Sequence, residues 1–373
     1  MAELIFVTGG SGFVGAAIIR AMVAAGHRVR ALARSEESAR TVSSLGAEPV
    51  RGDLDDERSL AAGMRGSTVV VHAAASLTSG VRYRDHERTN VEGTRRVLTC
   101  ARQEKARRFI YVSAASIVIE PGRPTHGDET LPVVHHRSMP YSATKGLAER
   151  IVLEANGSEM STIAVRPPFI WGEGAPSIGH IAHAFHEGRF MWIGGGEYAY
   201  SVCHVDNLAS AVARAVDHGV GGKAYFVTDD DVTSMRQFFT DVIEATGQPA
   251  KARAVPYWFG ALLARMMGLV FALFRPGKQP PLSLETVRLI GKRLELSNAL
   301  AKRELGYVPE VSREVGLSRL RATAPNKLVR HGSTHASVAA QTLVILALAA
   351  TALMTTVRAF AAPPTDPTGL WQL

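Results

Sequence analysis

Tyr141 and Lys145 are the residues whose types and spacing are best suited to catalysis. They stand four positions apart in the stretch YSATK, a spacing that puts both side chains on one face of a helix. A free tyrosine, with a pKa of ~10, exchanges protons poorly near neutral pH, but a neighbouring ammonium favours the phenolate and lowers that pKa. The pair is therefore predicted to transfer a proton while an alcohol and a ketone interconvert.

A glycine-rich turn near the start of the chain, VTGGSGFVG, has the composition of a dinucleotide-binding turn. Its glycines satisfy G-x-G-x-x-G between a predicted strand and a predicted helix. One glycine permits the tight turn, another lets backbone N–H groups approach a pyrophosphate, and the last lets the helix pack closely on the strand. The predicted cofactor contacts in this turn are Gly9, Gly10, Ser11, Gly12, Phe13, Val14 and Gly15.

The end of the second predicted strand indicates which dinucleotide binds. NAD sites usually place an acidic residue there to accept hydrogen bonds from the ribose hydroxyls, whereas this chain has VRALAR, which ends in Ala33 and Arg34. A guanidinium pairs well with a 2′-phosphate. The sequence therefore predicts NADP(H) as the preferred cofactor. The alternative is NAD(H), with Arg34 as a solvated surface residue.

Predicted strands and helices alternate through the first half of the chain. The predicted strands are Leu4–Val7, Arg28–Leu32, Val69–His72 and Phe109–Ser113, and the predicted helices are Val14–Ala25, Glu57–Met64 and Val91–Glu104. A helix from Pro140 and an apolar strand over 161–170 follow. This alternation is typical of an α/β fold with a Rossmann-type, doubly wound parallel sheet.

The predicted organisation has four parts. Residues 1–170 form the dinucleotide-binding core, to which a strand and a helix return near 202–228, and residues 171–330 form mainly a smaller substrate-binding lobe. A C-terminal hydrophobic helix over 336–357 and a proline-rich, disordered tail over 358–373 complete the chain.

Two apolar segments point to a lipid bilayer as a partner. Residues 336–357 carry no charge and as a helix would reach about 33 Å, which matches a hydrocarbon core of roughly 30 Å. Basic residues are more numerous before this segment than after it, so a membrane-anchored protein with its catalytic domain on the cytoplasmic side is predicted. The alternative is a helix buried in an oligomer interface of a cytoplasmic protein. Residues 257–274, interrupted by Arg265, fit a buried helix and a membrane-lying helix equally well.

The composition argues against several other classes of protein. The chain of 373 residues has a net charge of +8, but its arginines are scattered and no basic–aromatic RNA motif occurs, so no nucleic-acid partner is predicted. Its two distant cysteines imply no disulfide framework. His180, His183 and His186 would diverge around a helix, so no metal site is predicted. The oligomeric state stays open, with a homodimer as one alternative.

The ordered motifs of the chain resemble those of a known superfamily. TGGSGFVG, RGDLDD, VVVHAAA, NVEGT, PYSATKGLAE, VRPPFIWGEG and HVDNLASA together resemble the extended short-chain dehydrogenase/reductases, the NAD-dependent epimerase/dehydratase superfamily. The later stretches AYFVTDDDVTSMRQFF and ELGYVPEVSREVGL resemble its 3β-hydroxysteroid dehydrogenase-like branch. The resemblance covers roughly residues 3–322.

The resemblance implies further roles at matching positions. Tyr141 would be the acid/base, and Lys145 would bind the nicotinamide ribose and lower the pKa of the tyrosine. Asp53 and Leu54 would flank the adenine. The other implied members of the cofactor site are Ala73, Ala74 and Ala75 beside the ribose, Asn90 as a brace for the active-site strands, and Pro168.

The strand that ends near residue 113 departs from the family pattern. The family usually shows two hydroxyl residues there, and here the second is Ala114. Side chains alternate along a strand, so a persisting strand would place Ser116 on the same face as residue 114. A chain that curls outward after Val112 would present Ser113, and a third outcome leaves Tyr141 alone to orient the substrate. We predict Ser116, with Ser113 as the alternative.

Together these patterns predict an NAD(P)-dependent oxidoreductase that interconverts a secondary alcohol and a ketone. The stretch YAYSVCHVDN lacks the arginine with which nucleotide-sugar relatives hold a diphosphate. Segment 257–274 adds an apolar wall, so the predicted substrate is hydrophobic and sterol- or lipid-like. The alternatives are a nucleotide-sugar epimerase or dehydratase and, because of Ala114, a non-catalytic cofactor-binding protein at a membrane.

Overall fold

The computed structural model describes residues 2–76, 83–136, 138–274 and 280–323. The predicted hydrophobic helix over 336–357 and the predicted tail lie outside these residues. The predicted division of the preceding residues into a core and a substrate lobe stays a prediction.

The elements are labelled here in chain order. The strands are β1 (Leu4–Thr8), β2 (Arg28–Ala33), β3 (Glu48–Arg51), β4 (Val69–His72), β5 (Arg108–Val112), β6 (Thr125–Gly127), β7 (Ser161–Arg166), β8 (Phe169–Trp171), β9 (Met191–Ile193), β10 (Ala199–Tyr200), β11 (Val202–His204), β12 (Lys223–Phe226), β13 (Thr233–Ser234), β14 (Arg253–Val255) and β15 (Leu294–Leu296). The helices are α1 (Phe13–Ala24), α2 (Glu36–Ser44), α3 (Glu57–Met64), α4 (Tyr83–Glu87), α5 (Gly93–Gln103), α6 (Pro140–Glu154), α7 (Pro176–His186), α8 (Val205–His218), α9 (Met235–Ala245), α10 (Tyr257–Phe274), α11 (Leu284–Ile290), α12 (Ala299–Leu305) and α13 (Arg313–Thr323).

Seven strands form one parallel sheet in the order β12-β7-β5-β4-β1-β2-β3. The winding direction reverses between β1 and β4, where Val7 pairs with Val71. In such sheets the carboxyl ends of the two strands at the reversal frame the ligand crevice. The Rossmann-type, doubly wound prediction is therefore confirmed.

Helices cover both faces of this sheet because its central strands are buried on both sides. On one face, α1 and α8 contribute Ile18, Met22, Leu208 and Val212 to the core. On the other face, α3, α5 and α6 contribute Leu60, Val97 and Val152. Full burial of each such side chain stabilises the fold by about 1.5–3 kcal/mol, which fixes the helices whose ends carry the site.

Most predicted elements occur with small shifts at their ends. The strand before the serines ends at Val112, one residue earlier than predicted, and a π-helical turn over Arg88–Glu92 precedes α5. Helix α2 and strand β3 were not predicted. Both are short and polar, and β3 is an edge strand with mostly exposed residues, so its sequence lacks an apolar run.

Smaller sheets lie beyond the main one. One has the order β13-β10-β15-β6, and the pairs β11-β8 and β14-β9 form two more. Edge-on aromatic contacts join Phe238 to Trp171 and to Phe239 in the core beside them. This packing brings together elements that are distant in the chain, so β6 (Thr125–Gly127) pairs with β15 (Leu294–Leu296).

One helix within the described ranges, α10, is long and apolar enough to cross a membrane by length and composition alone. Only 22% of its 18-residue window is buried, and its inner face consists of Gly260, Ala261, Ala264 and Met267. The large apolar side chains that it exposes are Trp258, Phe259, Leu262, Met266, Leu269, Leu273 and Phe274. Among the described residues, α10 is therefore not buried as a core helix would be.

Candidate active site

The glycine turn joins β1 to α1 and is walled by backbone atoms. Gly9 has a φ of 75°, a conformation that favours glycine, and a Cβ there would lie 2.7 Å from the Ala74 nitrogen. A Cβ on Gly15 would lie 2.1 Å from the Gly9 carbonyl oxygen. Gly12 is exposed, and the first turn of α1 has no acidic residue. The turn therefore fits a pyrophosphate, which backbone N–H groups and the helix N-terminus stabilise.

The other residues of the turn differ in their surroundings. Gly10 lies against α1 and β2, since a Cβ there would approach the Ile19 side chain at 2.7 Å. Ser11 is exposed, whereas Phe13 and Val14 are half-buried and pack against the core. Gly10 therefore serves helix packing, whereas Ser11, like Gly12, is exposed.

The segment after β4 forms one side of this cradle. The Ala73 nitrogen donates to the Thr8 carbonyl oxygen at 3.2 Å, and the Ala74 nitrogen approaches the Thr8 hydroxyl at 3.4 Å. Ala73, Ala74 and Ala75 are all half-buried. The predicted contact of these three residues with the cofactor ribose stays a prediction.

The remaining predicted cofactor residues are more dispersed. Arg34 is exposed and directly follows β2, at the same sheet edge as the glycine turn. Asp53 is exposed and accepts a hydrogen bond from the Asp55 nitrogen at 3.3 Å, while Leu54 contacts the position of Gly93. Pro168 is half-buried between β7 and β8. The contacts of these four residues with the dinucleotide stay predictions.

Helix α6 carries the proposed catalytic pair against the end of β5. Lys145 is 1% exposed, its Nζ donates to the Val112 carbonyl oxygen at 2.6 Å, and the same atom lies 4.0 Å from the centroid of the Tyr111 ring. Burial lowers the pKa of Lys145 to about 7, against the opposing effect of Glu149. The amine therefore titrates near neutral pH.

The pKa of Tyr141 is raised, which reverses the prediction that Lys145 lowers it. Burial of the phenol is the larger cause, and the Glu285 carboxylate is the second. Tyr141 is therefore held as the neutral phenol at neutral pH, because both causes disfavour the phenolate.

The structure weakens the argument for Ser116. The strand ends at Val112, and residues Ala115–Val118 form a 3₁₀ turn, so strand alternation does not set the direction of Ser116. The Ser113 and Ser116 hydroxyl oxygens are both buried, and neither has a hydrogen-bond partner among the residues that the structure describes. Either hydroxyl is therefore free to donate to a ligand, and the choice between them stays open.

A buried histidine network connects the cradle to the active site. The Thr94 hydroxyl donates to the Asn90 carbonyl oxygen at 2.6 Å, so at 2.9 Å it accepts from His72 Nε2. His72 Nδ1 then accepts from the Thr8 hydroxyl at 2.7 Å. The hydrogen-bond partners thus assign a neutral His72 with its proton on Nε2.

Asn90 continues this network into α6. Its side-chain oxygen accepts from the Ser76 nitrogen at 2.7 Å, and its side-chain nitrogen donates to the Thr144 hydroxyl at 3.1 Å. Asn90 therefore ties the loop after β4 to helix α6, a bracing position like the one that the family resemblance implies.

His72 makes the stability of the protein sensitive to acid. Burial, with a smaller effect of Lys145, lowers the pKa of His72 from 6.5 to about 3. As the pH falls, His72 in the unfolded chain is protonated before His72 in the folded protein. The stability that the neutral His72 ring contributes is therefore complete above pH 6.5 and is lost as the pH falls toward 3. We expect the free energy of unfolding to drop by about 2 kcal/mol between pH 7 and pH 5 on this account.

Urea unfolding at the two pH values measures this effect. His72→Gln should reduce the drop, and the matched change at an exposed histidine, His180→Gln, should leave it unchanged. Equal drops in the wild type and His72→Gln would contradict the assignment.

Sequence reasoning missed a buried ion pair near Lys145 on α6. Arg166, at the end of β7, binds Glu149 through two nitrogens, with the shortest contact at 2.6 Å. Glu149 lies one helical turn after Lys145, and this spacing was the signal that the sequence offered. The pairing with Arg166 had no signal, because it depends on how α6 packs against β7.

Comparison with known proteins gives a consistent picture. The family model described as the 3-beta hydroxysteroid dehydrogenase/isomerase family matches residues 6–256. A 4-hydroxy-2-methyl-3-oxo-4-farnesyl-3,4-dihydroquinoline-1-oxide ketoreductase of Stigmatella aurantiaca is 37% identical, over 86% of this chain and 96% of its own length. A 3-beta-hydroxysteroid dehydrogenase of Mycolicibacterium neoaurum is 31% identical, over 84% of this chain and 89% of its own.

A solved structure shows the same fold. It is a double mutant of the dTDP-glucose 4,6-dehydratase of Streptomyces venezuelae, crystallised with NAD bound. It superposes with a TM-score of 0.66 at 21% identity, over 86% of this chain and 97% of the dehydratase chain. At this identity the likeness concerns the fold alone.

Proposed function

The chain belongs to the 3-beta hydroxysteroid dehydrogenase/isomerase family, and we propose that this NAD(P)-dependent oxidoreductase interconverts a secondary alcohol and a ketone on a hydrophobic, sterol- or lipid-like substrate. One observation carries the proposal. Helix α6 holds a neutral tyrosine phenol and a buried lysine at the carboxyl end of β5, two strands from the backbone cradle that follows β1. This arrangement suits proton exchange with a substrate oxygen beside a bound dinucleotide.

The dinucleotide would be held by the glycine turn, the residues after β4 and Lys145. When bound, it supplies the hydride-transfer chemistry of the reaction. The chain supplies the proton: the Tyr141 phenol gives its proton to the carbonyl oxygen during reduction, and the Tyr141 phenolate takes the proton of the alcohol hydroxyl during oxidation. The raised pKa of Tyr141 favours the protonated form, which is the form that reduction requires.

Ser113 and Ser116 are the proposed second donors to the same substrate oxygen. Both hydroxyls are buried and unpaired within the described ranges, and an unpaired buried hydroxyl is costly unless a ligand satisfies it. A donor at this position would stabilise the charge that develops on oxygen and would hold the substrate against Tyr141.

The substrate class is inferred from relatives and from the apolar surface. The Stigmatella relative is named for a farnesylated ketone and the Mycolicibacterium relative for a hydroxysteroid. The farnesyl chain in the first name and the steroid skeleton in the second are both large and apolar. The exposed apolar residues of α10 offer this chain a surface of matching chemistry.

A substrate screen tests the proposed function. Full-length protein in detergent is assayed spectrophotometrically with 3β-hydroxysteroids, long-chain ketones and nucleotide-sugars, each with both dinucleotides. Net oxidation or reduction of the dinucleotide by a hydrophobic substrate is expected. An isomerised nucleotide-sugar with an unchanged dinucleotide would instead support the epimerase alternative.

We propose NADP(H) as the preferred cofactor, because Arg34 is exposed at the edge where an adenosine ribose would lie. Ser35 caps α2 immediately afterwards, and the helix N-terminus adds positive potential, although Glu36 and Glu37 oppose it. Arg34→Ser is expected to raise KM for NADPH about tenfold and to leave KM for NADH unchanged. Arg40→Ser, on the exposed face of α2, is the matched control. If the ratio of KM for NADPH to KM for NADH is the same in Arg34→Ser as in the wild type, the proposed NADP(H) preference is contradicted.

We propose that the protein contacts a lipid bilayer, with α10 lying at the interface. This helix exposes a row of large apolar side chains, and Lys251 and Arg253 lie exposed just before it. Trp258→Ser together with Leu269→Ser is expected to weaken binding to anionic vesicles at least tenfold in co-sedimentation. Val308→Ser, an exposed apolar position outside α10, is the control.

The predicted hydrophobic segment 336–357 requires its own variant. Removal of residues 332–373 is expected to release most of the protein into the soluble fraction, and the vesicle binding that remains is expected to depend on the apolar side chains of α10. Persistent attachment would assign the membrane contact to α10, and attachment that also survives the α10 changes would contradict the proposed bilayer contact.

A further inference from the structure

A buried carboxylate from a distant part of the chain reaches the first turn of the catalytic helix. Glu285, on α11, is 4% exposed. Its Oε1 accepts from the Ser142 nitrogen at 3.1 Å and from the Ser142 hydroxyl at 3.2 Å, and its Oε2 accepts from the Tyr141 nitrogen at 3.4 Å. Glu285 therefore binds the backbone of the catalytic tyrosine itself, 144 residues away in the chain.

Helix α6 has no side chain of its own that caps its N-terminus. Met139 at the N-cap position makes no side-chain cap, Pro140 has no N–H, and the first turn contains no acidic residue. The first N–H groups of a helix lack partners within the helix and carry partial positive charge, so a carboxylate there is stabilising. Other helices of this chain use a local residue instead, as Ser234 does for α9.

We propose that Glu285 is a positioning residue of the proposed reaction, which fixes the first turn of α6 and tunes, through its charge, the release of the Tyr141 proton. The inference rests on the proposed role of Tyr141. Glu285 acts through the tyrosine and its helix, since its hydrogen bonds go to the Tyr141 backbone and to Ser142.

The electrostatic setting supports this role. Burial raises the pKa of Glu285, and the hydrogen bonds from Ser142 and Tyr141 together with the charge of Arg288 oppose the rise. When ionised, the Glu285 carboxylate raises the pKa of Tyr141. The other titratable groups near the phenol are the His86 ring, edge-on at 6.1 Å between ring centroids, Tyr111, and Lys145 one turn along α6.

Two variants separate the charge of Glu285 from its reach. Glu285→Gln keeps the length and removes the charge, so the alkaline-rising pH profile of kcat/KM for alcohol oxidation is expected to shift by about one unit to lower pH. Glu285→Asp keeps the charge and shortens the reach, so the profile should stay in place while kcat falls severalfold. Amide hydrogen exchange in the first turn of α6 should then accelerate.

The profile is measured with the full-length protein and the hydrophobic alcohol of the screen that it oxidises. Glu244→Gln replaces an exposed carboxylate on α9 with a carboxamide and is the matched control. Its pH profile should be the same as that of the wild type. Superimposable profiles for the wild type and Glu285→Gln would overturn the tuning role. Unchanged amide exchange in Glu285→Asp would overturn the positioning role.

Two further measurements keep the inference separable from the proposed function. If Glu285→Gln does not fold, Ser142→Ala is used instead, because it removes one hydrogen-bond donor from the Glu285 carboxylate. The pH profile of kcat/KM is then expected to shift to higher pH. A profile that does not move overturns the inference. Tyr141→Phe is assayed in parallel. Full activity in Tyr141→Phe refutes the proposed function, whereas an inactive Tyr141→Phe with an unshifted Glu285→Gln refutes the inference alone.

Discussion

Replacing Tyr141 with phenylalanine is expected to lower kcat by about 10²–10⁴-fold and to leave KM within a few-fold of the wild-type value. The change removes one oxygen, which is the proposed proton donor, and keeps the ring that packs edge-on against His86. Proton transfer by a positioned side chain contributes a factor of this size to catalysis. Steady-state kinetics with the hydrophobic substrate of the screen measure the loss.

The matched control removes a phenol oxygen in the core on the other face of the sheet from α6. Tyr225 lies on β12, and its hydroxyl contacts the Val220 nitrogen and Glu304, ahead of the amino end of that strand. Tyr225→Phe is expected to cost stability and to leave kcat nearly unchanged. Wild-type turnover in Tyr141→Phe would show that the proton comes from another group.

Replacing Gly15 with alanine is expected to weaken dinucleotide binding by at least ~100-fold. The added methyl group would lie 2.1 Å from the Gly9 carbonyl oxygen and 2.6 Å from its carbon, and both are backbone atoms that no side-chain rotation can move. The turn must therefore open, which separates the N–H groups that face a pyrophosphate. Overpacking of this kind also lowers the free energy of unfolding by about 1–3 kcal/mol.

Isothermal titration calorimetry with NADP⁺ and NAD⁺ measures the affinity, and urea unfolding measures the stability. Gly179→Ala is the control, because this helical glycine on α7 has nothing within 4 Å of the added methyl group. It should bind as the wild type does. A Gly15→Ala protein that binds with wild-type affinity would show that the dinucleotide does not occupy this turn.

The sequence by itself determined the features that depend on local spacing. The glycine turn between a strand and a helix, the pairing of Tyr141 with Lys145 on one helix and the alternation of strands and helices all follow from backbone geometry over a few residues. These patterns were sufficient to predict the doubly wound sheet and the main parts of the site. The same reasoning failed for α2 and β3, where exposed polar residues carry no periodic signal.

Only the tertiary structure decided the electrostatics and the partners of the site. Lys145 binds the Val112 carbonyl oxygen, Glu285 reaches Tyr141 from 144 residues away, and burial raises the pKa of the phenol that the sequence predicted to be lowered. The same holds for the exposure of α10 and for the 3₁₀ turn at the serines. The physical reason is that solvent access and contacts between distant segments are set by packing, which no short stretch of sequence encodes.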